Sequence, residues 1–213
     1  VIAHLLSRSR PYLPRRAMQC VDMALFTRSL VHAGWFRCYG AGVPVSRDGS
    51  ALPWYTYPSI AFLEPRIPTD AVVFEYGMGN STLWWAKRAQ HVISCEGDKA
   101  WFEKISSAIP DNVEAILADV SSEDYVGASL NRSFDILVID GRRRVACSKA
   151  SLPQLTDRGV IIWDNAERDR YDEGLRYLAD SGFKRLDFWG FGPLNPHQWL
   201  TSVLYRPANI LGI

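Results

Sequence analysis

An apolar, β-branched run, Val72-Val73-Phe74, ends in a carboxylate, Glu75, and two glycines follow at alternate positions, Gly77 and Gly79. Asn80-Ser81-Thr82 then opens an amphipathic segment from Leu83 to Ala89. This order predicts a strand, a tight glycine turn and a helix start. Glycine belongs where the backbone turns sharply or a ligand comes close to it. The first N–H groups of a helix lack partners within the helix and favour negative charge. The segment therefore predicts a nucleotide-type pocket at the end of the first core strand. The glycine spacing alone also describes dinucleotide turns and turns that bind nothing.

The carboxylate before the first glycine narrows the choice. A nicotinamide cofactor would bring its pyrophosphate to this turn, and Glu75 would repel it. A cofactor with an amino group and a sulfonium, such as S-adenosylmethionine, would be attracted. His91 to Glu96 is a second short strand ending in an acid. Glu96 lies about 20 residues beyond the turn, where an acid reaches ribose hydroxyls in doubly wound sheets. Val113 to Ala118 reads as a third strand, followed by Asp119. Asp119 is read either as an acceptor for the adenine amine or as an N-cap before Ser121-Ser122-Glu123-Asp124. Asp98 is the better cap in its own region, which leaves Glu96 for the ligand.

Strands and helices alternate from Asp70 onward. Phe134 to Asp140 and Val160 to Asp164 are nearly continuous apolar runs, as suits strands buried on both faces of a parallel sheet. Helices are expected at Lys99 to Ala108, around Ser121 to Leu130, at Val145 to Leu155 and at Glu167 to Asp180. Phe183 to Trp189 and Leu200 to Tyr205 close the sheet as two strands without a helix between them, unlike a plain nicotinamide fold. Before this region, Met18, Val21, Leu25 and Phe26 recur at helical spacing up to Gly34. A loop rich in glycine, proline and aromatics follows from Trp35 to Pro53, then Trp54-Tyr55-Thr56-Tyr57-Pro58. This aromatic cluster either packs the N-terminal segment onto the sheet or walls the substrate pocket.

A chain of 213 residues, 47% hydrophobic and 22% charged, favours one cored domain with an appendage. Its net charge of +1 provides no broad basic field, so no nucleic-acid partner is expected. The 4 cysteines, Cys20, Cys38, Cys95 and Cys147, form no CxxC pair, and Cys95 and Cys147 read as small core residues. A reducing, cytoplasmic setting is expected. No signal peptide and no bilayer-length apolar run is recognised, so no membrane partner is expected. The first residue is Val, which leaves the natural start open; the oligomeric state is open too.

The ends of the fourth and fifth strands carry Asp140-Gly141 and Asp164-Asn165. Ligands of open α/β sheets bind at the carboxyl ends of strands near the topological switch. Asp140, Asp164 and Asn165 would supply hard oxygen ligands that suit Mg²⁺, which could favour a substrate alkoxide. Alternatively the two aspartates cap helices or contact cofactor. Arg142-Arg143-Arg144 follows directly, as a solvated helix start or a clamp for an anionic substrate. His197, between the closing strands, is a further candidate for a base.

On Glu75-Tyr76-Gly77-Met78-Gly79-Asn80-Ser81-Thr82, Glu96, Asp119, Ile139-Asp140-Gly141 and Trp163-Asp164-Asn165, the chain resembles class I S-adenosylmethionine-dependent methyltransferases. It is most similar to small bacterial relatives of catechol-type O-methyltransferases, over roughly Pro68 to Arg206. The resemblance implies a Rossmann-like, doubly wound α/β fold with a seven-stranded sheet of order 3-2-1-4-5-7-6 and an antiparallel last strand. It implies that Glu75, Gly77, Gly79 and Ser81, with Asn80, surround the methionine end of S-adenosylmethionine. It implies further that Glu96 holds the ribose and that Asp119 lies near the adenine. Asp140, Asp164 and Asn165 match the Mg²⁺ ligands of the metal-dependent members, with Asp140 also near cofactor. No lysine matches the family's base, which leaves Asp140 and His197 as catalytic candidates.

The expectation is an enzyme, an O-directed methyltransferase for a small-molecule acceptor. Residues 1–68 would form a helical, aromatic extension and 69–213 the cofactor domain. A nicotinamide-dependent oxidoreductase and a non-catalytic cofactor-binding module are the alternatives.

Overall fold

The computed structural model describes residues 14–213; residues 1–13 of the expected N-terminal extension lie outside the described residues. Seven strands form one sheet: β1 (Val72–Tyr76), β2 (His91–Glu96), β3 (Val113–Leu117), β4 (Phe134–Ile139), β5 (Leu155–Asp164), β6 (Lys184–Gly190) and β7 (Trp199–Tyr205). Their order is β3-β2-β1-β4-β5-β7-β6. Pairs from β3 to β5 are parallel, and β7 runs antiparallel to both β5 and β6. The expected Rossmann-like sheet, with its antiparallel last strand, is the one observed. Every residue of β4 is buried, which is why its sequence reads as an unbroken apolar run rather than an alternation.

Helices cover both faces. The described ones are α1 (Arg15–Ala33), α2 (Trp35–Ala41), α3 (Tyr57–Leu63), α4 (Asn80–Ala86), α5 (Lys99–Ser106), α6 (Glu123–Val126), α7 (Arg144–Ser151) and α8 (Asp172–Asp180). Side chains alternate across a strand, so β1 is split between two cores. Phe74 and Tyr76 join Ile139, Trp163, Cys147 and the α8 residues Leu175 and Leu178. Val73 joins Val92, Val138, Ile162 and the fully buried Trp84 and Trp85 of α4. Cys95 and Cys147 are buried, as expected.

The differences from the sequence expectation are local. α2 forms inside the stretch expected to be loop. Its Trp35 ring meets Phe36 and Tyr39 edge-on at 5.0 and 4.8 Å and donates to the Asn195 carbonyl at 3.0 Å. The bond to Asn195 thus helps to stabilise a short helix that its internal Gly40 would weaken. β5 starts at Leu155, five residues early, because Leu155 pairs with Phe134 before the register shifts. The helices expected around 121–130 and 145–155 end early and continue as single 3₁₀ turns, Gly127–Ser129 and Leu152–Gln154. Among the described residues, no helix is long and apolar enough to cross a membrane.

Candidate functional site

A cavity of about 1120 Å³ opens at the carboxyl ends of β1, β2 and β4. One side is built by the glycine turn from Gly77 to Ser81, by Glu96 after β2 and by Asp140 to Arg144 after β4. Pro44, Trp54, Arg168, Arg170 and Tyr171 are also on its wall. The parallel order places β1 between β2 and β4, so the three loops converge there.

The turn is locked by its own backbone. Gly77 donates its N–H to the Cys95 carbonyl at 2.8 Å. Its φ is +98°, and a Cβ there would stand 3.0 Å from the Gly141 nitrogen and 3.1 Å from its Cα. Both facts require glycine, and both tie the β1 loop to the β4 loop. The Met78 N–H bonds the Glu96 Oε2 at 3.1 Å, and the Gly79 N–H bonds the Thr82 Oγ1 at 3.0 Å. A Cβ on Gly79 would meet nothing nearer than Trp101, at 3.8 Å. Gly79, Asn80 and Ser81 all face the cavity.

Glu75 is not on the cavity wall, contrary to expectation. It shares its strand face with Val73 and so points under α4. There its Oε2 accepts from the hydroxyls of Thr82 and of Ser94, the latter at 3.0 Å, its neighbour in register on β2. Its Oε1 is buried with no hydrogen-bond partner among the described residues. Burial pushes this carboxyl up to about 7, since low-dielectric surroundings disfavour the charged form. A chain of bonds runs from the Gly79 N–H through the Thr82 hydroxyl to Glu75, so the acid shapes the turn from behind.

Glu96 faces the cavity and is held rigidly. Its Oε1 accepts from the N–H groups of Gly97 and Asp98 at 2.7 and 2.8 Å. A carboxylate has about four lone-pair sites, so with Met78 three are used and capacity remains for a ligand hydroxyl. Asp98 caps α5 through the Trp101 N–H at 2.9 Å, as expected. Trp101 itself lines the cavity and donates from Nε1 to the Met78 carbonyl at 2.6 Å. Asp119 departs from the expectation. It is exposed, folds onto the Ser121 N–H and hydroxyl at 2.8 Å each, and leaves Val120 to line the cavity. Those bonds hold its carboxyl below the usual range. The residue at the N-cap of α6 is Ser122, so Asp119 serves a local turn.

The aspartates after β4 and β5 meet an arginine. Arg144 is buried, with Nη2 on the Asp140 Oδ1 at 2.8 Å and on the Asp140 carbonyl at 2.6 Å. Its Nε donates to the Gly141 carbonyl at 3.0 Å, and its Nη1 donates to the Asp164 carbonyl. The Asp164 Oδ1 accepts from Trp199 Nε1 at 2.9 Å and from the Thr201 hydroxyl at 2.6 Å. Burial raises both carboxyls, and the charge of Asp140 adds to the effect on Asp164.

Of the two readings of these aspartates, the Mg²⁺ site at Asp140, Asp164 and Asn165 finds no support. A guanidinium already sits against both strand ends, and no group of three or more His, Cys, Asp or Glu side chains placed to hold a metal ion occurs among the described residues. Asn165, at φ +53°, belongs to the turn after β5 and does not line the cavity. His197 is exposed, its ring 6.3 Å from that of Trp199, and it too lies off the cavity, so it does not face the expected site of a base. Asp140 does line the cavity, and no described residue donates to its Oδ2.

Sequence reading missed Tyr125, Trp101, Arg168 and Arg170. Tyr125 accepts the Arg142 N–H at 3.0 Å and fixes the β4 loop. Its signal was an aromatic in a segment read only for a helix. The aromatic run divides: Trp54 is 44% exposed on the cavity wall, whereas Tyr55 is fully buried and accepts from Trp85 Nε1 at 3.3 Å.

No protein-family model matches the sequence, and neither does any curated protein. Solved structures do match the fold. A precorrin-6y C5,15-methyltransferase from Geobacter metallireducens has TM-score 0.55 at 15% identity, covering 70% of this chain and 87% of that one. An rRNA methylase from Streptococcus thermophilus has TM-score 0.51 at 15% identity, covering 70% of this chain and 94% of that one. The N-methyltransferase NodS from Bradyrhizobium japonicum, in complex with S-adenosyl-L-homocysteine, has TM-score 0.52 at 10% identity, covering 69% and 84%. The chain has the Rossmann-like fold of these methyltransferases, and likeness at such identity establishes the fold alone.

Proposed function

We propose that this chain is an S-adenosylmethionine-dependent methyltransferase acting on a small-molecule acceptor, with transfer directed to oxygen. The observation that carries this reading is the glycine turn, bonded through Met78 to the ribose-type acid Glu96 on the wall of one cavity. The residues fit the cofactor. Gly79 leaves space for close approach, Glu96 keeps acceptor capacity, and the buried Glu75 braces the turn from behind through Thr82. When bound, S-adenosylmethionine supplies an electrophilic methyl on a sulfonium.

The remaining work falls to the chain. Gly77 to Ser81 and Glu96 hold and orient the cofactor, and Trp54 covers the acceptor end. Asp140, with Oδ2 unpartnered and a carboxyl raised by burial, takes the proton of the acceptor hydroxyl. Arg144 fixes the rotamer of Asp140. Residues 69–213 serve as the cofactor domain, and 1–68 add acceptor wall through Pro44 and Trp54. Free cysteines suit a reducing, cytoplasmic setting.

Calorimetric titration with S-adenosylhomocysteine and NADH tests the reading. S-adenosylhomocysteine should bind and NADH should not. Charge-assisted hydrogen bonds contribute about 1.5–3 kcal/mol, so Glu96→Ala should weaken binding by roughly 10- to 100-fold. A loss under about threefold, or binding of NADH instead, refutes the assignment.

A further inference from the structure

We infer that the acceptor is an organic anion, whose carboxylate or phosphate is held by Arg142, Arg168 and Arg170 while its body lies on Trp54. This rests on the methyl-transfer reading of the same cavity. Five arginines line it, Arg142, Arg143, Arg144, Arg168 and Arg170, against the acids Glu96, Asp98 and Asp140. Two of the five are engaged by protein. Arg143 bonds the Ser122 carbonyl at 2.9 Å and Glu123 at 2.7 Å, and Arg144 is held by Asp140 and three carbonyls. The acids are engaged too: Glu96 by three N–H groups, Asp98 as a helix cap, Asp140 by Arg144.

The side chains of Arg142 and Arg170 have no hydrogen-bond or carboxylate partner among the described residues. Arg168 is paired with the adjacent Glu167, at 3.6 Å, is attracted at longer range by Asp140, and is 43% exposed. The acceptor end therefore carries uncompensated positive charge. Arg170 is also preorganised. Its guanidinium lies 4.9 Å from the centroid of the Tyr171 ring, and Arg144 lies 5.2 Å from the same ring. Tyr171 in turn packs on the buried Trp163 at 5.8 Å. Stacking of this kind restricts a side chain that otherwise loses rotamer freedom on binding.

Planar guanidinium donors match carboxylate and phosphate oxygens in pairs. A cationic acceptor would be repelled by the same wall. These arginines line a cavity in a chain whose net charge is only +1, which favours a small anion over a nucleic-acid backbone. The exposed indole of Trp54 supplies an apolar platform for the rest of the molecule.

The test begins with the wild-type chain and S-adenosylhomocysteine, which reports on the cofactor reading before any acceptor is added. The saturated complex is then titrated with 4-hydroxybenzoate, phenyl phosphate and the neutral 4-hydroxybenzamide. At least one anion should bind about tenfold or more tighter than the amide, and the better anion distinguishes carboxylate from phosphate. In the Arg168→Gln/Arg170→Gln double variant this preference should shrink to within about threefold, with S-adenosylhomocysteine affinity held within about threefold.

Equal binding of the amide, or an anion preference that survives in the variant, overturns the inference. So does failure of both anions to bind at about 10 mM, or preferential binding of a single-stranded RNA oligonucleotide. A large loss of S-adenosylhomocysteine affinity in the variant also overturns it, because the arginines would then hold the cofactor. If the wild type fails to bind S-adenosylhomocysteine, the methyl-transfer reading falls. The same three titrations on the ligand-free protein then decide the anion preference of the arginine wall by the same criteria.

Discussion

Glu75→Gln should make the ligand-free protein more stable at alkaline pH and leave it nearly unchanged in acid. The Glu75 side chain is fully buried, and its carboxyl rises from the ordinary 4.5 to about 7. Below 4.5 both the folded and the unfolded chain carry the proton. Between 4.5 and 7 the unfolded chain releases it while the folded chain keeps it, so stability falls as pH rises. Above 7 both are ionised and the loss is complete. At roughly 1.4 kcal/mol for each tenfold change in proton affinity, the loss is about 3 kcal/mol. Glutamine mimics the protonated acid: its carbonyl can accept the Thr82 and Ser94 hydroxyls, and its amide replaces the unpartnered Oε1. Asp140 and Asp164 impose a slope of the same sign, but both proteins carry them, so the difference isolates Glu75. Urea unfolding followed by tryptophan fluorescence from about pH 5 to 8.5 measures it. The variant's advantage should grow by about 2.5 kcal/mol across that range. A difference that stays constant with pH would show that Glu75 ionises as freely in the fold as in water.

Gly77→Ala should destabilise the fold by about 2 kcal/mol or more, because of its φ and the Gly141 backbone, whereas Gly79→Val should keep the wild-type Tm and lose S-adenosylhomocysteine binding; retained affinity in the folded Gly79→Val variant counts against the pocket. Mg²⁺ should leave Tm unmoved, since Arg144 stands at the strand ends. A true site occupied at about one hundred times its Kd would add about 2.7 kcal/mol, which a thermal melt with and without Mg²⁺ would reveal.

What was legible in the sequence was what one strand or one turn decides by itself. The apolar runs of β4 and β5, the glycine turn, the Asp98 cap and the closing antiparallel pair follow from local composition. What was not legible depended on which face a residue presents or on a partner distant in sequence. Its position just before the glycine turn suggests the pocket for Glu75. The period of two that puts it with Val73 sends it under α4 instead. The sequence leaves Asp119 open between a ligand and a cap, and two hydrogen bonds to Ser121 turn it outward. Trp54 and Tyr55 are adjacent and have opposite fates, which only the packing of Tyr55 against Trp85 decides. Arg168 and Arg170 gave no signal, because arginines in a loop are ordinarily solvated.

Arg144 changes the chemistry that the two strand ends can perform. A divalent ion there would bring open coordination positions and would lower the proton affinity of a bound hydroxyl directly. A guanidinium brings one charge and a fixed fork of donors, and it has no position for a substrate oxygen to ligate. In this chain the fork is spent on Asp140 and on the carbonyls of Asp140, Gly141 and Asp164. It closes the two loops over each other and holds one oxygen of Asp140. The second oxygen of Asp140, a residue of the cavity wall, has no donor among the described residues. In the proposed reading, proton removal thus passes from a metal to a carboxylate. The positive charge that would have been a metal's is divided between a structural arginine and an anion-binding wall.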